Sequence, residues 1–427
     1  MATYNATDAN SLNNAVQSAA AGDTIYVMNN ISLDGDGSGF SGTITVPAVP
    51  GTSVVTIESN GGPFTISSTT ANQRHFENYG YLTLQNIILD GGNTGGGVQV
   101  NADTTGTTPA YTETNLLGGC VIQNCSTTAI GGGGVDIQTA DAINGGYDGV
   151  STASLTMDGC TIQNNHQRTP TVAGGGVWLS GQGVTATMNN TNGTTLIDSN
   201  TSQWSGGGIV VNSGSTLTID NGTITNNQAA LHGGGIDMFN GGYGSTAPPA
   251  TVIINNALIM GNAAGANVDG MGKPNSTSPG GSGGGIANEE NNILQINGGT
   301  IQNNTATLNG GGISSMVDST LTITGTTTPS TTLPNPPASG SPVVVGNTAD
   351  VNGGGISVGT KSDGSAYTDT QNPTAQATLT DVAILSNIAD VDGGGLHVCD
   401  NSLVTASGNL FDSNQATNDG GGYYVMQ

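Results

Sequence analysis

The segment NIADVDGGGLHV, residues 387–398, carries the pattern that decides the fold. Ile384 stands three residues before Asn387, three glycines begin six residues after it, and Leu396 opens an apolar run behind them. Ten such glycine runs occur in the 427 residues, followed by Val98, Val135, Val177, Ile209, Ile236, Ile286, Ile313, Ile356, Leu396 and Tyr423. These residues are separated by 37, 42, 32, 27, 50, 27, 43, 40 and 27 positions. The recurring minimum of 27 is the bare repeat, and the excess is insertion.

The bare unit ending at Ile236 shows the register. Leu217-Thr-Ile219 reads as one strand, Thr223-Ile224 opens a second, Asn227 ends it, and Gly233-Gly-Gly235 leads into Ile236-Asp-Met238. Three strands with two or three inward residues each cannot close a globular core. Stacked coil on coil at ~4.8 Å they form a parallel β-helix with one continuous interior. About twelve coils, counting two before the first triplet, give an all-β rod of roughly 55–60 Å. A propeller needs four antiparallel strands per blade; the spacing here is too short and too uneven for that. A β-sandwich has no reason to repeat one register ten times.

Composition fits this reading. Only 34% of residues are hydrophobic and 71 are glycine, but the apolar residues gather in short β-branched groups such as TLTID and VVTIE. The net charge is −25, from 29 acidic residues against Arg74, Arg168, Lys273 and Lys361. A nucleic-acid site needs a basic footprint, as does attraction to anionic lipid, so neither is expected. No apolar run of 18 residues exists, so no helical membrane insertion is expected. The balance suits an extracellular surface, and so few Lys and Arg leave trypsin-like proteases little to cut. The start, MATYNATDAN, is not a basic and apolar signal peptide; the expectation is another export route or a longer precursor.

The repeats FDSNQATNDGGGY and ILSNIADVDGGGL resemble the FxxN and GGA[ILV] repeats of chlamydial polymorphic outer-membrane proteins. More broadly they resemble right-handed, pectate-lyase-like β-helices of bacterial surface adhesins and autotransporter passengers. The resemblance covers about residues 80–427; GGG replaces GGA, Ile is commoner than Phe, and no C-terminal membrane barrel is expected within residues 1–427. SLNNAVQSAAAGDTIYV, with Leu12, Ala15, Val16 and Ala19 on one helical face, resembles the helix that caps the first coil of such proteins. The implied layout is a cap at 1–30 and one β-helix domain at 31–427. Its insertions fall near 101–115, 138–153, 180–195, 239–251, 263–282, 326–341 and 359–376.

Several positions are candidates for particular roles. Asn165, Asn200, Asn227, Asn262, Asn304, Asn347, Asn387 and Asn414 share one slot, where stacked amides form a hydrogen-bonded ladder. Cys125 takes that slot in its own coil, and Cys120 and Cys160 lie five residues before it in successive coils. Stacked neighbours at ~5 Å are within disulfide reach; a buried reduced pair is the other reading. Thr83, Thr156, Thr218, Thr322, Thr378 and Thr405 form an outward column broken by Ile253 and Gln295. A Thr array can face ice, but only Thr216/Thr218 and Thr320/Thr322 supply both columns, which favours simple β-propensity.

Calcium is the one cofactor the pattern suggests. Asp350 and Asn352 are expected to stack on Asp390 and Asp392, and Asp34, Asp36 and Ser38 alternate in DGDGSG like half a calcium loop. Thr45 stands where such a loop needs Glu, and solvated turn carboxylates explain the same residues. Tyr111, Tyr147, Tyr243 and Tyr367 each fall in a long insertion, and Trp178 is expected to point outward beside a fifth. Aromatics on loops favour recognition of a glycan or protein on a host or neighbouring cell; anchoring the loop is the plainer role.

The fold hosts polysaccharide lyases and hydrolases. Lyase chemistry needs a strong base beside carboxylates, and hydrolysis needs two carboxylates at matched distance. Neither pattern occurs, and Arg74-His75-Phe76-Glu77, the one mixed cluster, reads as structural. A non-catalytic extracellular stalk or adhesin, needing no cofactor, is the leading expectation. The alternatives are a subunit of an end-to-end filament or phage fibre, since GGGYYVMQ ends within a coil strand, and a polysaccharide-cleaving enzyme.

Overall fold

A computed structural model describes residues 1–20, 22–48, 54–102, 111–129, 131–139, 151–171, 173–240, 247–268, 280–289, 291–316, 318–332, 340–360, 375–400 and 402–426. The chain is a right-handed parallel β-helix. Among the described residues its strands form four parallel sheets, visited in fixed order along the chain, with the third sheet absent from the first three coils. Sheet 1 has 13 strands, from Thr3–Ala6 to Leu403–Ser407, and sheet 2 has 12, from Ile31–Ser32 to Leu410–Asp412. Sheet 3 has nine two-residue strands, from Ser126–Thr127 to Gln415–Ala416. Sheet 4 has 12, from Ile44–Val46 to Tyr423–Val425.

The alternation of side chains explains the stacking. In the coil containing Thr216–Ile219, Thr223–Thr225, Gln228–Ala229 and Ile236–Phe239, the residues Leu217, Ile219, Ile224, Ala229, Ile236 and Met238 are all 0% exposed. The next coil sets Val252, Ile254, Ile259, Ala264 and Ile286 upon them in register, so like sits over like through one long core. Each fully buried Ile or Leu contributes roughly 1.5–3 kcal/mol, and no coil can realise that gain without its neighbours.

Sheet 3 adds a strand to the three expected per coil. Most of its strands bury a single small residue, such as Ala229, Ala306, Ala349 and Ala389, and two residues are too short to show an alternation. A second difference lies at 180–195. This stretch is not one insertion, because Val184–Asn189 is a sheet 1 strand that registers Thr185, Ala186 and Thr187 against Thr216, Leu217 and Thr218. Its inward residues, Val184, Ala186 and Met188, include Ala186, of low β-propensity, which weakens the strand signal. The insertions near 101–115 and 138–153 likewise begin and end in strands, Val98–Ala102, Tyr111–Leu117, Val135–Thr139 and Thr152–Asp158.

The helix Ala9–Ser18 lies against the first strands of sheets 1 and 4. Asp8 caps it by a capping box with Ser11, and Ala9, Leu12, Ala15 and Val16 form its buried face. Ala19 ends the helix as its C-cap.

The glycine triplet has two separate geometric causes. Gly393 has φ +66, a left-handed conformation that residues with a Cβ adopt at a cost. Gly394 and Gly395 have no such φ; a Cβ on either would come within 3.0 Å of Gln415 or Gly422 backbone in the next coil. Gly394 N–H donates to Gly420 O at 3.1 Å and Gly395 N–H to Gly421 O at 3.0 Å, so coils meet backbone to backbone at this corner.

Candidate functional site

From Asn200 to Asn387 the ladder asparagines use every side-chain hydrogen-bonding valence internally. Asn227 Nδ2 donates to Ile197 O and Asn262 Oδ1, both at 3.0 Å. Its Oδ1 accepts from Asn200 N at 2.9 Å and Asn200 Nδ2 at 3.0 Å. The same bonds run from Asn165 through Asn304, Asn347 and Asn387 to Asn414. Cys125 N–H opens the row by donating to Asn165 Oδ1 at 2.9 Å. A side chain with no free valence has nothing to offer a ligand.

A second ladder runs beside the glycine corner. Asn309 Oδ1 accepts from Asn352 N, Asn352 Oδ1 from Asp392 N, and Asp392 Oδ1 from Asp419 N, each at 3.1 Å. Further up, His232 Nδ1 accepts from Ser282 N at 3.1 Å and Ser282 Oγ from Asn309 N at 3.4 Å. Asn352 and Asp392, two of the calcium candidates, therefore turn one oxygen each to a backbone N–H. Asp350 and Asp390 stack in adjacent coils and are exposed.

DGDGSG works on the helix. Asp36 Oδ2 accepts from Ala9 N at 2.7 Å and Ser38 Oγ from Asn10 N at 3.1 Å, so the loop supplies acceptors to N–H groups of the first turn. Asp34 accepts from the backbone and hydroxyl of both Thr69 and Thr70, at 2.8–3.0 Å. Burial alone pushes the Asp34 carboxyl up, but these bonds outweigh it and leave its pKa below the usual value. Among the described residues no group of three or more His, Cys, Asp or Glu side chains is placed to hold a metal ion.

Cys120, Cys125, Cys160 and Cys399 are buried and free of disulfides. Cys120 and Cys160 lie in adjacent coils, where Thr161 N–H donates to Cys120 O at 2.9 Å. Burial pushes the Cys160 thiol up to about 12, and burial, then the neighbouring Cys160, pushes Cys120 well above its ordinary value. Both are therefore poor nucleophiles.

Arg74 and His75 are buried as well. Arg74 donates to Gly132 O at 2.8 Å and lies 3.8 Å from Asp136. His75 Nδ1 accepts from Gly97 N at 2.9 Å, so its Nε2 carries the proton toward Asp90 O, 3.2 Å away. Trp178 does point away from the main core, but it is only 9% exposed and packs with Ala173, Val210 and Trp204 in a separate cluster. It is thus closed to a ligand, contrary to the expectation of an outward recognition residue; neighbouring side chains on the same outer face cover it.

Tyr111 stands differently. It opens the strand Tyr111–Leu117 of sheet 1 and is 44% exposed. Its hydroxyl shares a 2.9 Å hydrogen bond with Ser154 Oγ and donates to Glu113 Oε2 at 3.3 Å. Asn115 Nδ2 holds the other carboxylate oxygen at 2.7 Å. The Tyr81 ring lies 5.6 Å from the Tyr111 ring at an angle of 53°, the tilted arrangement aromatic pairs favour. Tyr81 and Glu113 were missed in the sequence because only the register, Glu113 opposite Tyr81 and Ser154, brings them to Tyr111. Tyr147, Tyr243 and Tyr367 lie outside the described residues.

Downstream of this group the outer face of sheet 1 continues as two columns. One passes from Thr156 through Thr187, Thr218, Ile253, Gln295, Thr322 and Thr378 to Thr405. The other passes from Ser154 through Thr185, Thr216, Thr251, Ile293, Thr320 and Gln376 to Leu403 in the same registers. No protein-family model matches the chain, and no curated protein matches it either.

Proposed function

We propose that the chain is a non-catalytic, extracellular β-helical stalk or adhesin that recognises a glycan or protein on a host or neighbouring cell. The observation that carries this reading is Tyr111, an exposed ring fixed on a rigid sheet face beside Tyr81, Glu113 and Ser154. Rigid aromatics with a polar tip recognise sugars and proteins at low entropic cost. The likeness of the ILSNIADVDGGGL repeats to those of chlamydial polymorphic outer-membrane proteins and pectate-lyase-like surface β-helices supports it. The engagement of Arg74 and His75 inside the structure speaks against a base for lyase or hydrolase chemistry. Required cofactors are none; calcium has no part in this reading.

The test is binding of the purified chain to glycan and host-cell arrays, with polysaccharide cleavage monitored alongside. Array binding without new reducing ends supports the reading. Cleavage, or silence on every array, overturns it.

A further inference from the structure

The two central outward columns of sheet 1 are free of charge over most of the sheet's length. Over eight successive strands, from Thr152–Asp158 to Leu403–Ser407, the two central outward columns contain sixteen side chains and not one Asp, Glu, Lys or Arg. Ten of the sixteen are threonine. The chain nevertheless carries 29 acidic residues and a net charge of −25. Acidic groups such as Asp158 and Asp220 occur at the strand ends of this face, and not in its middle. Solubility alone does not need a face cleared of charge, whereas a contact surface does, since charged groups are depleted at the core of interfaces. The face is open: Thr185, Ile293, Gln376 and Leu403 are exposed.

We infer that this face, with the Tyr81–Tyr111 pair at its upstream end, is the binding track for an extended, uncharged polysaccharide. The inference rests on the recognition reading above and names the class of ligand. Sugar rings present apolar C–H faces, which suit the exposed Tyr111 ring, and hydroxyls, which suit fixed neutral donors and acceptors. Glu113, held by Asn115 and Tyr111, is an oriented acceptor beside the rings. Beyond it the threonine hydroxyls and methyls recur once per strand, at ~4.8 Å, on a scale close to one pyranose ring. Binding there strands no buried charge, so it avoids the desolvation cost that an acidic floor would impose. A uronic-acid polymer is excluded by like charge, because the whole chain repels it.

The experiment uses the full chain, with amorphous cellulose, chitin and β-mannan as neutral probes and polygalacturonate as the acidic one. Retention on at least one neutral probe that persists in high salt is expected. Tyr111→Ala and Tyr81→Ala should weaken it roughly tenfold, and Thr218→Glu with Thr322→Glu should abolish it. Tyr111→Phe keeps the ring and should bind within about threefold; it also guards against a misfolded Ala variant, with melting temperatures matched throughout. Replacing Tyr147, Tyr243 and Tyr367 together by Ala should change nothing. Binding lost in that triple variant but kept in Tyr111→Ala overturns the track while leaving recognition by the chain intact. Preference for polygalacturonate, failure on all neutral probes, or sheet-to-sheet dimerisation abolished by the Thr→Glu pair also overturns the track. Silence on every array as well removes the recognition reading with it.

Discussion

Asn387 Nδ2 and Asn387 N both donate to one oxygen, Asn414 Oδ1, each at 2.9 Å. The side chain of one coil therefore holds both the side chain and the backbone of the previous coil. Repeated eight residues deep, from Asn165 to Asn414, this makes the turn between sheets 2 and 3 a continuous hydrogen-bonded column.

The column sets the first prediction. Asn227→Ala removes both amide donors and the acceptor, stranding the buried Asn200 N–H and taking one partner each from Asn200 Nδ2, Ile197 O and Asn262 Oδ1. A loss on the order of 2–4 kcal/mol is expected, read as a lower urea midpoint. Asn414→Ala, in a half-buried coil with fewer neighbours, should lose less. Equal losses at the two sites would mean that burial does not set the ladder's worth.

The glycine corner separates steric from conformational cost. Gly395→Ala drives a Cβ into Gly422 O of the adjoining coil, whereas Gly37 has φ +83 and open space around it. Gly37→Ala should cost about 1–2 kcal/mol from its backbone alone. Gly395→Ala should cost more than that, although its φ is ordinary, because two coils must separate. Thermal unfolding of the two variants decides the order.

The fold was legible because its signal repeats. One Asn, one glycine triplet and one β-branched strand recur at a minimum spacing of 27 residues, and a ten-fold recurrence survives the insertions. The two-residue strands of sheet 3 were not legible, since Gln228–Ala229 carries no period. Neither was the covering of Trp178: alternation tells which way a side chain leaves its sheet, and not what lies over it. The Tyr81–Tyr111–Glu113 group needed the register between coils separated by an insertion, whose length no local pattern fixes. Asp36 misled for a related reason. A carboxylate ready for calcium and one capping a distant helix look alike until Ala9 is placed 2.7 Å away.

Buried histidines predict acid lability. Burial pushes His75, His232 and His397 down to about 4, against ~6.5 in an unfolded chain. The unfolded state thus takes up protons first, so their contribution is complete above pH ~6.5 and is lost as pH falls toward 4. Each such histidine costs on the order of 3 kcal/mol by pH 4. Asp136 acts oppositely: burial, opposed by Arg74 and Gln138, raises it to about 6, so its contribution is greatest in acid and fades as pH rises through 6. Three groups outweigh one, and net stability should fall between pH 6.5 and 4. His232→Asn supplies the residue type that Asn309 and Asn352 use in the same ladder, and should flatten part of that fall. An unchanged pH profile in the variant would remove His232 from the account.

The loop around Asp36 offers the sharpest contrast between a metal ligand and a cap. Its Oδ2 already accepts the Ala9 N–H at 2.7 Å and its Oδ1 the Ser38 N–H at 2.9 Å, while Asp34 is saturated by Thr69 and Thr70. Calcium would have to take these oxygens from the N–H groups they accept, the Ala9 N–H of the helix first turn among them. Asp36→Ala should therefore lower stability by about 1 kcal/mol with or without a chelator, and Asp36→Asn, which keeps an acceptor, by less. The melting temperature of the unaltered chain should be the same in EDTA and in millimolar calcium. A calcium-dependent rise that disappears in Asp36→Asn would instead make this loop a metal site, with the helix cap as its empty form.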